Sequence, residues 1–185
     1  MDLWNRFIMG NKKAFAELMD TYIGPLFKYG TRFCLEEELV RDTIQELFIK
    51  LWERRERLSP EANAKAYLFT SLRRMLFRKI RKQPETVPYD DLENFVNLFA
   101  MEISVEQRFI RDERLRFLEQ QLKMKIAMLP ARQKEVVYLK FFMDMNREQI
   151  CNVMQISPQT VSNLLQNAFK KLRTDLKPVI SPIFF

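Results

Sequence analysis

The stretch "ISPQTVSNLLQNAFKKLR", residues 156–173, carries an unusual helical pattern. At 3.6 residues per turn, Val161, Leu165, Ala168 and Leu172 form one apolar stripe, and Gln159, Asn163, Gln166, Asn167 and Lys170 point the other way. A merely solvated face would more often alternate Glu with Lys, which form helices better than Asn and pair at i,i+4. Four amides followed by Lys170, Lys171 and Arg173 suit a different surface: base edges first, phosphates after.

The residues upstream supply the frame for that reading. Asn146, with Gln149 three residues on, predicts a capped helix running through Met154, and Ser157 with Pro158 predicts the start of the next. The "MQI" between them is a turn of helix-turn-helix length, and Ile150, Val153, Ile156, Val161 and Leu165 would lock the two helices together. In such a motif the second helix enters the major groove, where Asn and Gln can donate to and accept from bases. A plain helical hairpin with a polar exterior fits the same segment.

The chain has 185 residues, 47% hydrophobic and 30% charged, enough for one or two small domains with cores of their own. Only 3 Gly stand against 16 Phe and 10 Met, which predicts an all-α fold: two small helical domains joined by a linker. The formal net charge of +7 favours a polyanionic partner. That charge is local: residues 63–82 hold seven basic side chains and no acidic one, and residues 83–106 hold six acidic and no basic ones together with Pro84 and Pro88. An acidic connector therefore lies between two basic modules, as a solvated loop or as a shield for its neighbours.

Histidine is absent, which removes the commonest general base and the commonest metal ligand. Cys34 and Cys151 match no metal-ligand spacing and read as buried free thiols at apolar helical positions. The carboxylate cluster "DDLE" at 90–93 has no second catalytic partner. No catalytic residue, metal, cofactor or small-molecule substrate is expected. The amino-terminal stretch lacks the apolar core of a signal peptide and no run is long enough to span a bilayer, so a cytoplasmic location is expected.

Helices are expected over 11–33, 39–58, 63–82 and 104–129, with Pro130 restarting the chain and three shorter helices after it. In "DTIQELFIKLW" (42–52), Ile44, Leu47, Phe48, Leu51 and Trp52 form the buried stripe, and Asp42, Gln45, Glu46, Ile49 and Glu53 gather opposite. Ile49 amid carboxylates suits a partner-helix contact, although single exposed apolar residues are common. The next helix buries Leu68, Leu72, Met75 and Leu76. It leaves Tyr67, Thr70, Arg74, Phe77, Arg78 and Arg81 around its other side, the mixture of rings and guanidiniums that single-stranded nucleic acid favours. An anionic membrane surface or, for Tyr67 and Phe77, the core would also accept such residues.

Taken in order, these segments resemble the sigma-70 family of bacterial RNA polymerase sigma factors, in particular its extracytoplasmic-function group. "DTIQELFIKLW" is similar to the family's D-x-x-Q-E-x-F-x-x-L-W segment. The resemblance implies that Asp42, Gln45, Glu46, Ile49 and Glu53 meet the clamp helices of the polymerase beta-prime subunit. "AYLFTSLRRMLFRKIRK" (66–82) resembles the segment that holds the non-template strand of the minus-ten element, which implies that role for Tyr67, Thr70, Arg74, Phe77, Arg78 and Arg81. Residues 129–173, with L-P-x-R-Q-x-x-V and T-V-x-x-x-L-x-x-A-x-x-K-L-R, resemble the minus-thirty-five-reading domain. That implies DNA contacts from Gln159, Thr160, Ser162, Asn163, Gln166, Asn167, Lys170, Lys171 and Arg173.

The implied organisation is region 2 over 1–82, an acidic linker over 83–107, region 4 over 108–177 and an apolar tail over 178–185. The implied partners are core RNA polymerase, through the beta-prime clamp helices and the beta flap, promoter DNA, and a membrane-bound anti-sigma factor. "YLFTSL" and the aromatic-rich linker look closest to the iron-citrate-regulator-like branch typical of Bacteroidetes. The sequence departs from the family pattern at Asp144, Met145 and Asn146, where Gly-Leu-Ser is usual, at Cys151 in place of alanine, and at Gln155 in place of the turn glycine. Gln155 is expected to adopt an unfavourable backbone conformation or a different turn. A stand-alone helix-turn-helix regulator is the alternative function, and a membrane-surface adaptor the alternative class.

Overall fold

Capping side chains set the first helices. The Asp2 carboxylate accepts from the Asn5 amide at 2.8 Å and opens α1 (Leu3–Ile8); Gly10, at φ +83°, turns the chain, and Asn11 accepts from the Ala14 amide at 3.0 Å to open α2 (Lys12–Gly30). α3 (Glu37–Glu53) starts with Glu37 and Glu38 against the helix dipole and ends in a 3₁₀ turn at Arg55–Arg57. Asn63 then accepts from the Ala66 amide at 2.9 Å and caps α4 (Ala64–Lys82). The computed structural model describes residues 2–82 and 113–184, with side chains for 2–80 and 116–177. The linker and the amino-terminal part of the helix expected over 104–129 lie outside the described residues.

The apolar stripes of α2, α3 and α4 meet in one core. Leu18, Leu26, Tyr29, Val40, Leu51, Leu68, Phe69, Leu72 and Leu76 are each at most 1% exposed, and α1 closes the bundle with Trp4 and Phe7. Each large apolar side chain so buried contributes about 1.5–3 kcal/mol of transfer free energy, which holds the four helices against one another. Met75 and Trp52, expected inside, are half-buried at the edges of grooves described below. Cys34 lies in the turn after α2 rather than in a helix, because Gly30 ends that helix; both thiols are free and half-buried.

The second domain is α5 (Glu113–Ala127), α6 (Ala131–Phe141), α7 (Arg147–Met154) and α8 (Pro158–Phe184). Ile126, Leu129, Val136, Leu139, Ile150, Val153, Val161, Ala168 and Leu172 form its core. The last helix, expected to be short, has 27 residues, and its backbone continues through the segment expected to be a separate tail. The fold is all-α with two helical domains, the second built on a helix-turn-helix, and among the described residues there is no strand. The domains also touch: α7 packs against α4.

Candidate nucleic-acid and polymerase interfaces

On the outer side of α2 and α3 the surface is apolar and concave. Phe15, Met19, Ile23 and Phe27 of α2, spaced at i,i+4, face Phe48, Ile49 and Trp52 of α3 across a groove of about 660 Å³. Ile49 is 51% exposed and Ile23 40% exposed, so Ile49 belongs to a continuous strip rather than standing alone. Gln45, Glu53 and Arg41 border it, and the Arg41 guanidinium lies 4.4 Å from the Phe27 ring centre. The four α2 residues escaped the sequence reading. Their spacing was visible, but on a helix with Ala14, Leu18 and Leu26 alongside it reads as core.

Glu46 takes a different place from its predicted companions. Hydrogen bonds from Lys50 and Lys79, the latter at 2.9 Å from α4, hold its carboxyl down at about 2 against a small opposing effect of burial. It joins α3 to α4, while Asp42, Gln45, Ile49 and Glu53 are exposed.

Between α3 and α4 lies a smaller cavity of about 240 Å³. Tyr67, Arg74 and Arg78 line it, and Lys50 of α3 and Arg54, the residue just past its end, neither singled out from sequence, add two cations from the opposite wall. Tyr67 is half-buried and rests 5.7 Å from the Trp4 ring, whose indole N–H donates to the Ser59 carbonyl at 3.0 Å. Phe77 is also half-buried, packed at the core edge. A ring held in place with four cations around it can stack a base and neutralise its backbone. The Arg81 side chain lies outside the described residues.

The Thr70 hydroxyl is 2.6 Å from the Ala66 carbonyl and 3.1 Å from the Asn152 carbonyl of α7, one proton between two acceptors. Arg74 donates to the Gln155 side-chain oxygen at 2.6 Å. These two predicted strand-binding residues therefore face the helix-turn-helix.

That motif is built as its caps dictate. The Gln149 amide donates to Asn146 Oδ1 at 2.9 Å and the Asn146 amide to Gln149 Oε1 at 2.8 Å, a complete capping box, and the Thr160 amide donates to Ser157 Oγ at 3.1 Å. The two positions where glycine was missed are both left-handed: Asp144 at φ 45° and Gln155 at φ 55°, ψ 48°. The chain keeps the turn and accepts the strain, of the order of 1–2 kcal/mol for a side chain such as Gln. Gln155→Gly is expected to raise stability by no more than about 0.5 kcal/mol, since relief of that strain only slightly exceeds the extra chain entropy of glycine and the loss of two exposed side-chain hydrogen bonds, from Arg74 and to the Asn152 carbonyl. Urea unfolding of the two chains side by side checks it.

On α8, Gln159, Asn163, Gln166, Asn167, Lys170, Lys171 and Arg173 are exposed, and Thr160 and Ser162 are half-buried. Gln159 donates to Asn163 at 3.0 Å, which orders two amides on one face. The Ser162 hydroxyl bonds back to the Pro158 carbonyl at 3.1 Å, and Lys171 reaches the Met128 carbonyl at 3.3 Å, so this ammonium buttresses the end of α5.

Comparison with known proteins agrees with this geometry. Residues 18–85 match the family "Sigma-70 region 2" and residues 119–172 match "Sigma-70, region 4". No curated protein matches the chain. Among solved structures, CnrH in complex with the cytosolic domain of CnrY aligns at TM-score 0.58 and 19% identity, over 95% of this chain and 96% of that one. The sigma factor RpoE in complex with the anti-sigma factor NepR, from Bartonella quintana, aligns at TM-score 0.59 and 20% identity, over 89% of this chain and 98% of that one. At such identity these structures speak to the fold, and the two family matches, which together span about two thirds of the residues, speak to descent. With the region 2 match on the bundle that carries the groove and the cavity, and the region 4 match on the helix-turn-helix, the chain belongs to the sigma-70 family.

Proposed function

We propose a division of labour in which residues 1–82 dock on core RNA polymerase and hold the melted minus-ten strand, and residues 108–177 read the minus-thirty-five duplex, with 83–107 as the linker between them. The apolar groove supports this reading best, because a stand-alone regulator has no use for it. Asp42, Gln45, Ile49 and Glu53 would meet the beta-prime clamp helices together with Met19 and Ile23. Glu46 would hold α3 in register through Lys50 and Lys79.

Tyr67, Arg74 and Arg78, with Lys50 and Arg54, would take the unstacked strand, and Thr70 would border it. Each lost stacking step costs about 1.4 kcal/mol, and a base trapped on an aromatic ring returns about 1–3 kcal/mol, so a few captured bases offset the melting of a short bubble. Gln159, Thr160, Asn163, Gln166 and Asn167 would face bases and Lys170 and Arg173 phosphates. The chain would perform no chemistry of its own and work in the cytoplasm; among the described residues no helix is long and apolar enough to cross a membrane.

An anti-sigma factor is the expected inhibitor. The complexes of CnrH with CnrY and of RpoE with NepR support it, and the iron-citrate-regulator-like branch suggested by "YLFTSL" would place that partner in the inner membrane. Exposed Phe141 and Phe169, with ring centres 5.8 Å apart, offer region 4 an apolar contact suited to the beta flap.

Reconstituted with bacterial core polymerase and supplied with a library of genomic fragments, the chain is expected to start transcripts at fragments sharing two spaced motifs. Gln166→Ala is expected to relax one base pair of the upstream motif by about 1–3 kcal/mol while leaving the downstream one intact. If selected fragments share one motif only and bind without core polymerase, the stand-alone regulator replaces this reading.

A further inference from the structure

Trp4 of α1 is 4% exposed and makes two contacts that meet at the start of α4. Its ring centre lies 5.7 Å from that of Tyr67 with the planes at 51°, a tilted packing that braces the phenol ring. Its indole N–H donates at 3.0 Å to the carbonyl of Ser59, 55 residues away in sequence. That same carbonyl accepts from the Ala62 amide at 3.1 Å, which closes the turn leading into α4. Asn63 caps α4 directly afterwards, and the Tyr67 amide donates to the Asn63 carbonyl at 2.9 Å. Trp4 therefore holds both the ring and the turn that aims it.

Tyr67 lies half-buried on the wall of the cavity that also presents Lys50, Arg54, Arg74 and Arg78. A phenol ring free to rotate must be immobilised when a base stacks on it, and bracing the ring in advance removes that cost. Tryptophan suits both tasks, with a large apolar face for the ring and one N–H for the turn. On the other side of Trp4 the Phe7 ring lies at 5.5 Å, and Phe7 in turn meets Phe15 at 5.7 Å and Trp52 at 6.2 Å, both in the wall of the apolar groove. α1 thus sits between the two surfaces, Trp4 against the cavity residue and Phe7 against the groove residues.

We propose that Trp4 is a positioning residue for strand capture, which acts through Tyr67 by bracing its ring and fixing the turn that starts α4. The proposal rests on the assignment of Tyr67 to the melted strand.

The test titrates the full chain, assembled with core RNA polymerase, with a fluorescein-labelled single-stranded oligonucleotide of mixed sequence, core polymerase alone giving the background. Trp4→Leu, which removes both ring and donor, is expected to weaken binding by about fivefold. Trp4→Phe keeps a ring beside Tyr67 and leaves the Ser59 carbonyl its bond from Ala62, so it is expected to hold the loss to about twofold. In a Tyr67→Ala chain, itself weakened, Trp4→Leu should cause no further loss, an outcome that a general loosening of the fold does not produce. Co-elution with core polymerase should be unchanged, because Phe7 and not Trp4 meets the groove residues. An equal loss from Trp4→Leu in both backgrounds overturns the proposal, as does wild-type binding by both Trp4 variants while Tyr67→Ala is weakened. Wild-type binding by Tyr67→Ala overturns the strand assignment of Tyr67, and the proposal with it. Should Trp4→Leu fail to fold in a thermal melt, Trp4→Phe decides: its loss must vanish in the Tyr67→Ala chain.

Discussion

An Ile49→Arg chain is expected to bind core RNA polymerase at least about a hundredfold more weakly than wild type, a loss of about 2.7 kcal/mol or more. The size follows from where Ile49 sits. It is half exposed on the wall of the apolar groove, opposite Met19 and Ile23. A docked helix would desolvate it, and an arginine there would carry a guanidinium into a strip whose other wall is apolar and whose acceptors, Gln45 and Glu53, lie only at the rim on its own helix. The free chain should tolerate the change within about 0.5 kcal/mol, because the side chain can turn to water. Phe48, one residue earlier and 3% exposed, has no such escape, so its substitution would test the fold and not the interface. Co-elution with core polymerase on a sizing column, paired with a thermal melt, separates the two. Undiminished co-elution by Ile49→Arg would remove the groove from the polymerase interface.

The helix-turn-helix was legible because its signals are local. Asn146 with Gln149, Ser157 with Pro158, and the amide face of α8 all lie within one or two turns of the residues they organise. Gln155 was also readable as a strained position, since the caps on both sides fix where the turn must fall. The groove was half legible. α3 showed Ile49 among polar residues, but Phe15, Met19, Ile23 and Phe27 look like a second core stripe until the bundle shows that Leu18, Leu26 and Tyr29 already fill the inside. The joint between the domains was not legible. Arg73 and Glu135 are 62 residues apart, each plausible as a solvated charge, and only the docking of α6 and α7 on α4 brings them to 2.9 Å. Cys34 was misplaced for a related reason: the apolar pattern ran on past Gly30, although the helix did not.

Gly30→Ala is expected to destabilise region 2 by about 1–3 kcal/mol, the range of an overpacked core site. A methyl group there would stand 2.6 Å from Val40 Cγ1 of α3 and 3.3 Å from Leu76 Cδ1 of α4. Val40 is fully buried and β-branched, so its methyl cannot swing aside, and α2 must move instead. Gly24, in the same helix, is the control: nothing lies within 4 Å of an added methyl, so Gly24→Ala is expected to stabilise by about 0.5–1 kcal/mol through helix propensity alone. The opposite signs, read by urea unfolding, would show that close approach and not helix propensity sets the cost at residue 30. The consequence reaches function, because α2 carries one wall of the groove and ends at Gly30. A shift of α2 away from α3 would spread Met19 and Ile23 from Ile49, so Gly30→Ala should weaken polymerase binding under conditions where the chain is still folded, and Gly24→Ala should not. Equal affinities for the two chains would mean that the groove does not depend on this contact.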